Sequence, residues 1–343
     1  MVDGLSMTLA PPTLSAAIDA RAPWIDGAHE GAFRLFHGFT EGDPTLTLDV
    51  YARTLVVHDR AELAEGNRAR VEAVVDAVRA RLPWLRAAVW KSRRALEPDA
   101  RNGLLVFGAA GDVDRKVREN GVWYALSLTM NRDAGLYLDT RPLRVWAKEN
   151  LAGKRVLNTF AYTGSLGVAA RAAPAREVLQ LDRNANFLEV AQRSCQLNGY
   201  SVARKYFIAR DFFAETARLR REAGLFDCVL VDPPFYASSK AGTVDLEQSP
   251  ERIIDKVRPL VAHDGWLVAV NNALWVSGAE WVRALEAAAG EYMTLEATLP
   301  VPDDARGLVG DAAGAYPADP APFNHPTKIA VLRVRRKDRR KAT

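Results

Sequence analysis

The chain has 343 residues, of which 48% are hydrophobic and 26% charged, and its net charge is +4 at pH 7. This length and apolar content allow two domains with cores of their own. No apolar run approaches the ~20 residues that span a bilayer, and two cysteines exclude a disulfide framework or a thiolate zinc site.

The same features predict a cytoplasmic protein without a metal site. Few cysteines fit a reducing compartment, and the first residues include an acid and no basic stretch, unlike a signal peptide. The sequence pI of about 9.0 is compatible with an RNA partner but does not by itself indicate one.

The N-terminal part predicts an irregular arm over residues 1–23 and a small α+β domain over residues 24–117. Three β-like runs come first: A-F-R-L-F-H-G-F, T-L-T-L-D-V-Y and T-L-V-V-H-D. A helical pattern over 61–82 follows, and then short strands over 84–90 and 104–107. This domain contains no evident catalytic set.

Residues 118–150 predict a connector that ends in a helix beginning at Pro142, since proline suits the first helical turn. The polar and aromatic side chains just before this helix are Tyr137, Asp139 and Arg141. Asp139 or Thr140 is suited to cap the helix. Two interpretations stay open here, a capped helix and a segment of a binding site.

Residues 151–343 alternate short apolar runs with helical patterns, which is typical of a parallel sheet covered by helices. The stretch over 156–182 predicts strand, turn, helix and strand. Gly164 permits a positive φ in the turn, and Asp182 ends the second strand. Right-handed crossovers bring both to one crevice, where an acid can accept hydrogen bonds from two ribose hydroxyls.

The turn limits the kind of cofactor. A dinucleotide site needs G-x-G-x-x-G, whereas this turn is F-A-Y-T-G-S-L-G with only Gly164 and Gly167. It is too bulky to offer a pyrophosphate several uncovered N–H groups. It suits a nucleoside cofactor without phosphate, which indicates S-adenosylmethionine. An ordinary βαβ unit with a surface acid is the alternative.

Further strands are predicted over 206–208, 226–231 and 266–270, and two last strands over 293–299 and 329–334 form an antiparallel pair. The predicted fold class is therefore α/β. It is a Rossmann-like, doubly wound sheet of seven strands with a small N-terminal α+β domain.

Acidic residues follow the predicted strands at their carboxyl ends, where open α/β sheets bind ligands. Asp182 is assigned to the ribose, Asp211 to the adenine amino group and Phe212 to the adenine ring. The backbone of residues 162–164 would pass under the methionine part of the cofactor.

The tetrapeptide Asp232-Pro233-Pro234-Phe235 supplies the candidate catalytic residues. Neither proline can donate to a central strand, so the two form a stiff bend. Its carbonyls and Asp232 can accept hydrogen bonds from a base edge, and Phe235 or Tyr236 can stack on a base. A rigid loop with a buried aromatic side chain is the alternative.

The motifs V-L-N-T-F-A-Y-T-G, L-D-R-N-A-N-F-L-E-V-A, F-D-C-V-L-V-D-P-P-F and G-L-Y-L-D-T-R resemble class I S-adenosylmethionine-dependent RNA methyltransferases. The similar subgroup is that of bacterial large-subunit ribosomal RNA methyltransferases of cytosine C5 and guanine N7. The resemblance covers roughly residues 30–335. Many members carry an N-terminal PUA RNA-binding domain, which this sequence is not expected to contain.

The resemblance implies where the cofactor binds. The positions that line it in the family match Phe160, Tyr162, Gly164, Asp182, Asp211 and Asp232, and those that close over it match Tyr137, Asp139 and Arg141. Thr163, Arg183 and Phe212 complete the predicted set. The implied partner is RNA, ribosomal RNA in particular. The oligomeric state stays open, with a homodimer as one option.

One departure from the cytosine-C5 members bears on the chemistry. Cytosine C5 is methylated only after a thiolate adds to C6, but Cys195 lies in a predicted helix and Cys228 in the middle of a strand. Val270-Asn271-Asn272 replaces the family's cysteine-bearing stretch, as in the guanine-N7 members. A nitrogen needs only in-line approach, charge complementarity and exclusion of water, so direct transfer to nitrogen is predicted.

Three other interpretations stay open. One is a cytosine-C5 ribosomal RNA methyltransferase. Another is a methyltransferase for a small molecule or a protein side chain. The last is a cofactor-binding protein that has lost catalysis and serves as an RNA-binding module.

Overall fold

A computed structural model of the chain describes residues 11–62, 66–222, 224–307 and 316–342. These residues divide into two compact units. The first comprises the described residues up to Leu138 together with 302–307, and the second comprises Asp139–Val301 and the described residues from Tyr316 onward. The division falls inside the segment predicted as a connector.

The first unit contains the strands β1 (Ala32–His37), β2 (Leu46–Tyr51), β3 (Thr54–Asp59), β4 (Ala87–Ser92) and β5 (Leu104–Phe107), and the hairpin β6 (Lys116–Glu119) and β7 (Val122–Ala125). Strands β1 to β5 form one sheet in chain order. Only the β3–β4 pair in it is parallel. The helices before this hairpin are α1 (Pro11–Ala20), α2 (Gly38–Glu41), α3 (Asn67–Arg81) and α4 (Pro98–Asn102).

Part of the predicted arm is helical. Residues 1–10 lie outside the described residues, but α1 follows them and packs its apolar side into the core of the first unit. Leu14, Ala17 and Ile18 are buried there beside the apolar side of α3. Helix α3 begins at Asn67, later than the sequence pattern predicts, and residues 63–65 lie outside the described ranges.

The second unit contains the strands β8 (Arg155–Thr159), β9 (Glu177–Asp182), β10 (Phe207–Ala209), β11 (Phe226–Val231), β12 (Tyr236–Ser239), β13 (Gly242–Asp245), β14 (Val261–Asn271), β15 (Met293–Leu299) and β16 (Lys328–Val334). Seven of them form a sheet in the order β10-β9-β8-β11-β14-β16-β15. Strands β10 to β14 in this order are parallel, and β16 is antiparallel to both neighbours. The predicted doubly wound, seven-stranded α/β sheet is confirmed.

The helices of the second unit are α5 (Arg141–Asn150), α6 (Ser165–Ala172), α7 (Ala185–Leu197), α8 (Phe212–Glu222), α9 (Glu251–Val257) and α10 (Gly278–Ala289), and α11 (Asp303–Arg306) belongs to the first unit. Among the helices of the described ranges, none has the length and apolar content needed to cross a membrane.

Both faces of the seven-stranded sheet are buried. Successive side chains of a strand point to opposite faces, so Val156 and Leu230 pack in one cluster with α5 and α6. Leu157 and Val229 pack in another cluster with α8, α9 and α10. Because both faces are covered by helices, the ends of the strands are where this sheet can receive a ligand.

Candidate active site

The four strands β10, β9, β8 and β11 are direct neighbours and run parallel, so their carboxyl ends share one rim. The chain leaves β8 toward β9 on one side, and β11 lies on the other side of β8. This is a topological switch point, where open α/β sheets bind ligands. The predicted alignment of the strand ends that carry Gly164, Asp182, Asp211 and Asp232 is observed.

The turn after β8 has an unusual backbone. Phe160 (φ 51°) and Tyr162 (φ 50°) adopt the left-handed conformation, as does Gly164 (φ 77°). Such a conformation costs roughly 1–3 kcal/mol for each non-glycine residue and is typical of functional sites. The turn is held by hydrogen bonds from the Gly164 amide to the Ala161 carbonyl (2.7 Å) and from the Ala161 amide to the Leu181 carbonyl (2.9 Å).

Close packing explains why position 164 is glycine. A Cβ at Gly164 would collide with Ala191 of α7 and with the side chain of Gln180. A Cβ at Gly167 would also lie 2.6 Å from Gln180. The two glycines therefore let α6 pack closely against α7 and Gln180. Thr163, which lies between Tyr162 and Gly164, is buried.

Asp182 ties the turn to the next helix. Its Oδ2 accepts a hydrogen bond from the Tyr162 amide (2.8 Å) and its Oδ1 accepts one from the Asn184 amide (2.8 Å). Burial raises the pKa of Asp182, and these amides oppose the rise. Each carboxylate oxygen retains a second lone pair, which suits the two hydroxyls of a ribose. Arg183, the next residue, is exposed.

Asp211 and Phe212 are more engaged with the protein than the sequence suggests. Asp211 Oδ1 accepts hydrogen bonds from the amides of Phe213 (2.9 Å) and Ala214 (3.2 Å), so it caps α8. Phe212 is buried, and its ring stacks on Phe160 with a centroid distance of 4.4 Å. One face of Phe212 is therefore already covered by protein.

A pair of carboxylates lies at the end of β11. Asp139 stands near Asp232, and burial, followed by the charge of Asp139, raises the pKa of Asp232 from 3.8 to about 7. Arg144 of α5, which is 1% exposed, opposes this rise. Asp139 Oδ2 accepts a hydrogen bond from Thr327 Oγ1 (2.6 Å). Sequence reasoning missed Arg144 and Thr327 as parts of this site.

The start of α5 differs in detail from the prediction. Thr140 occupies the N-cap position, but its side chain makes no capping hydrogen bond to the helix amides and instead accepts from Arg144 Nη1 (3.0 Å). Arg141 is the first helical residue and is half-buried. Tyr137 belongs to the first unit, where its hydroxyl donates to Asp133 Oδ2 (3.2 Å).

The proline bend is anchored from the neighbouring strand. Asn272, just past β14, donates from Nδ2 to the Pro233 carbonyl (3.3 Å). That carbonyl therefore already accepts one hydrogen bond within the protein and retains its second lone pair. Pro234 is exposed, and the Phe235 side chain is 56% exposed rather than buried.

Both cysteines lie away from the rim. Cys228 is in the middle of β11 and fully buried, and burial raises the pKa of its thiol far above the ordinary range. Cys195 is buried on α7, where burial raises the pKa of its thiol to about 11. Neither thiol is placed or ionised as a nucleophile must be.

The residues at this rim fit S-adenosylmethionine chemically. Asp182 retains acceptor positions for the ribose hydroxyls. The neighbouring carboxyl groups of Asp139 and Asp232 can compensate the positive charge of the cofactor's sulfonium.

The profile of the S-adenosylmethionine-dependent methyltransferase family matches residues 89–300 of this chain. The chain therefore belongs to that family and is an S-adenosylmethionine-dependent methyltransferase. The predicted cofactor and enzyme class are confirmed.

Its curated relatives are bacterial ribosomal RNA methyltransferases. It is 30% identical over 233 residues to ribosomal RNA large subunit methyltransferase I of Aeromonas salmonicida, covering 66% of this chain and 57% of that protein. It is 35% identical over 167 residues to ribosomal RNA large subunit methyltransferase K of Neisseria meningitidis serogroup B, covering 48% and 47%. The chain thus spans about half the length of these relatives.

A solved structure supports the fold. The crystal structure of SMU.776 complexed with SAH superposes with a TM-score of 0.79 at 21% identity, covering 94% of this chain and 80% of that one. This likeness extends over both units of the chain.

Proposed function

We propose that this chain transfers a methyl group from S-adenosylmethionine directly to a nitrogen of an RNA base, with ribosomal RNA as the acceptor. The names of its relatives support the acceptor class. The observation that carries the reaction type is the burial of both thiols, Cys195 and Cys228, away from the strand ends. The predicted cytoplasmic location stays a prediction.

In this proposal, different residues at the strand ends bind different parts of the cofactor. S-adenosylmethionine supplies an electrophilic methyl carbon. Asp182 holds the ribose, and the backbone of the turn from Phe160 to Gly164 lies along the cofactor. Asp211 has one carboxylate oxygen beyond its capping bonds for the adenine amino group. Arg141 stays predicted to close over the cofactor.

Asp232 faces the acceptor. With a pKa near 7 it is partly ionised at neutral pH, so it can accept a hydrogen bond or a proton from a base N–H. The stiff Pro233-Pro234 bend, held by Asn272, keeps this carboxylate in place. Phe235 is exposed next to it and suits the face of a base.

The chemistry at nitrogen needs no covalent enzyme intermediate. The nitrogen lone pair would form the new N–C bond as the S–C bond of the sulfonium breaks, with S-adenosylhomocysteine as the leaving group. The residues of this chain would contribute positioning and exclusion of water. A cytosine-C5 acceptor would need an ionised thiol at the rim. The burial of both thiols therefore speaks against that alternative.

The test is to incubate the purified chain with methyl-labelled cofactor and unmodified ribosomal RNA, digest the RNA to nucleosides and identify the labelled product. A nucleoside methylated on nitrogen is expected, and Asp232→Asn should abolish it. A 5-methylcytidine product would overturn direct transfer to nitrogen. Label that appears only in protein or small molecules would overturn the RNA acceptor.

A further inference from the structure

Two loops at the active-site rim expose large apolar side chains. Phe235 (56% exposed) and Tyr236 (55%) follow β11, and Leu274 (52%) and Trp275 (67%) follow β14. Trp275 is the most exposed of the four. Large apolar side chains grouped on a surface are typical of binding sites.

The two loops are neighbours. Strands β11 and β14 are parallel, with Val231 opposite Ala269, so both loops leave the same edge of the sheet. Asn272 in the second loop donates to the Pro233 carbonyl in the first (3.3 Å). The residues around Trp275 therefore border the bend that carries Asp232.

The loop that carries Trp275 is firmly held. Buried Lys328 donates from Nζ to the carbonyls of Ala273 (3.0 Å) and Pro326 (2.6 Å). Asn271 Oδ1 accepts from the Ala273 amide (2.9 Å). Ala273 and Val276 on either side are buried. Trp275 is thus presented to solvent by an anchored backbone, which lowers the ordering cost of binding.

A cation lies on the neighbouring hairpin. Lys240 is exposed at the turn between β12 and β13, the hairpin that Tyr236 begins. It makes no ion pair with any residue in the described ranges. Aromatic faces combined with an unneutralised cation suit a nucleotide, whose base stacks and whose phosphate is anionic.

We infer that Trp275 stacks on a nucleotide that flanks the target base and so helps to hold the RNA for methylation. This inference rests on the proposed RNA acceptor and assigns Trp275 as a positioning residue for it. Phe235 would serve the target base itself, and Trp275 its neighbour. Stacking of a base on an aromatic side chain contributes about 1–3 kcal/mol, or roughly 5- to 150-fold in affinity.

The test compares Trp275→Ala with Trp275→Phe, which keeps an aromatic ring, and with Leu295→Ala, a control at an exposed apolar side chain on β15. The readouts are kcat and the KM for a ribosomal RNA fragment at saturating cofactor, and the cofactor Kd by calorimetry. Trp275→Ala should raise the KM at least about fivefold. It should leave the cofactor Kd unchanged, and the other two variants should remain near wild type.

Two results would overturn the inference and are distinguishable from failure of the proposed function. If the wild type methylates RNA and Trp275→Ala has an unchanged KM, or Trp275→Phe is as impaired as the alanine variant, stacking by Trp275 is wrong while the RNA acceptor stands. If the wild type methylates a protein and no RNA, the proposed acceptor and the stacking both fail.

Discussion

Asp232→Asn removes a charge from the active-site rim while nearly preserving side-chain shape. In the wild type, burial and the neighbouring Asp139 raise the pKa of Asp232 from 3.8 to about 7, and Arg144 compensates only in part. The ionised carboxylate therefore destabilises the folded chain when no cofactor is bound. The neutral amide should relieve this destabilisation.

The sign and the pH window follow from these two pKa values. An unfolded aspartate ionises near 3.8, whereas folded Asp232 ionises near 7. Between these two pH values the folded state holds a proton on Asp232 that the unfolded state has released. The stability that this proton contributes is therefore lost as the pH rises through the interval. At about 1.4 kcal/mol per pKa unit, the full interval corresponds to on the order of 4 kcal/mol.

Urea denaturation followed by circular dichroism, at pH 5 and pH 8 without cofactor, measures the effect. Relative to the wild type, Asp232→Asn should gain about 2–3 kcal/mol more stability at pH 8 than at pH 5. The control Asp255→Asn changes an exposed carboxylate and should show no such pH dependence. A variant less stable than the wild type at pH 8 would refute the reasoning, because Asp232 would then be ionised in a favourable pair with Arg144.

Three further predictions concern the cofactor and the thiols. Asp182→Ala should weaken S-adenosylmethionine binding by about 2–3 kcal/mol, because the ribose loses a charged acceptor, and calorimetry measures this loss. Replacing Cys195 and Cys228 together with alanine should leave kcat for methyl transfer near the wild-type value, since neither thiol reacts. Cofactor binding at pH 6.5 should release protons from Asp232, because a nearby cation lowers its pKa, and calorimetry in buffers of different ionisation enthalpy counts them.

Each of these three predictions has a measurable outcome that would contradict it. Unchanged affinity in the Asp182 variant would remove Asp182 from the ribose site, and Asp182→Asn, which keeps an acceptor for the Tyr162 amide, controls for damage to the turn. Loss of methyl transfer in a folded double cysteine variant would reinstate a thiolate mechanism. Binding heats that do not depend on the buffer would mean that Asp232 is ionised before the cofactor arrives.

The strand ends were predictable from sequence because the pattern is local. A short apolar run followed at once by an acid or a glycine indicates both the strand and its carboxyl end, and parallel strands place those ends together. Asp182 and Asp232 stand where this reasoning expects them. The positive φ values of Phe160 and Tyr162 could not be predicted from sequence, since aromatic residues rarely adopt this conformation.

Elements that depend on tertiary packing were missed. The hairpin of β12 and β13 contains A-S-S-K-A-G-T, a stretch with little β propensity. It forms because Val244 is buried in the core and Gly242 lies against the Phe213 ring. The spacing of Leu14, Ala17 and Ile18 is typical of one apolar side of a helix, and α1 does bury these residues. The two prolines at its start do not argue against a helix, because proline is favoured in a first helical turn.

Arg144 shows why charge partners at the rim could not be assigned from sequence and why they matter. In the sequence it resembles any exposed helical cation, yet it is 1% exposed and lies near Asp232. Asp232 is half-buried, and withdrawing a carboxylate from water costs free energy unless a cation compensates for it. Arg144 compensates only in part, since the pKa of Asp232 still reaches about 7. Part of the negative charge of Asp232 therefore stays uncompensated in the protein without cofactor. The positive charge of a bound sulfonium would compensate it, so the free energy that this charge costs the cofactor-free protein would strengthen cofactor binding.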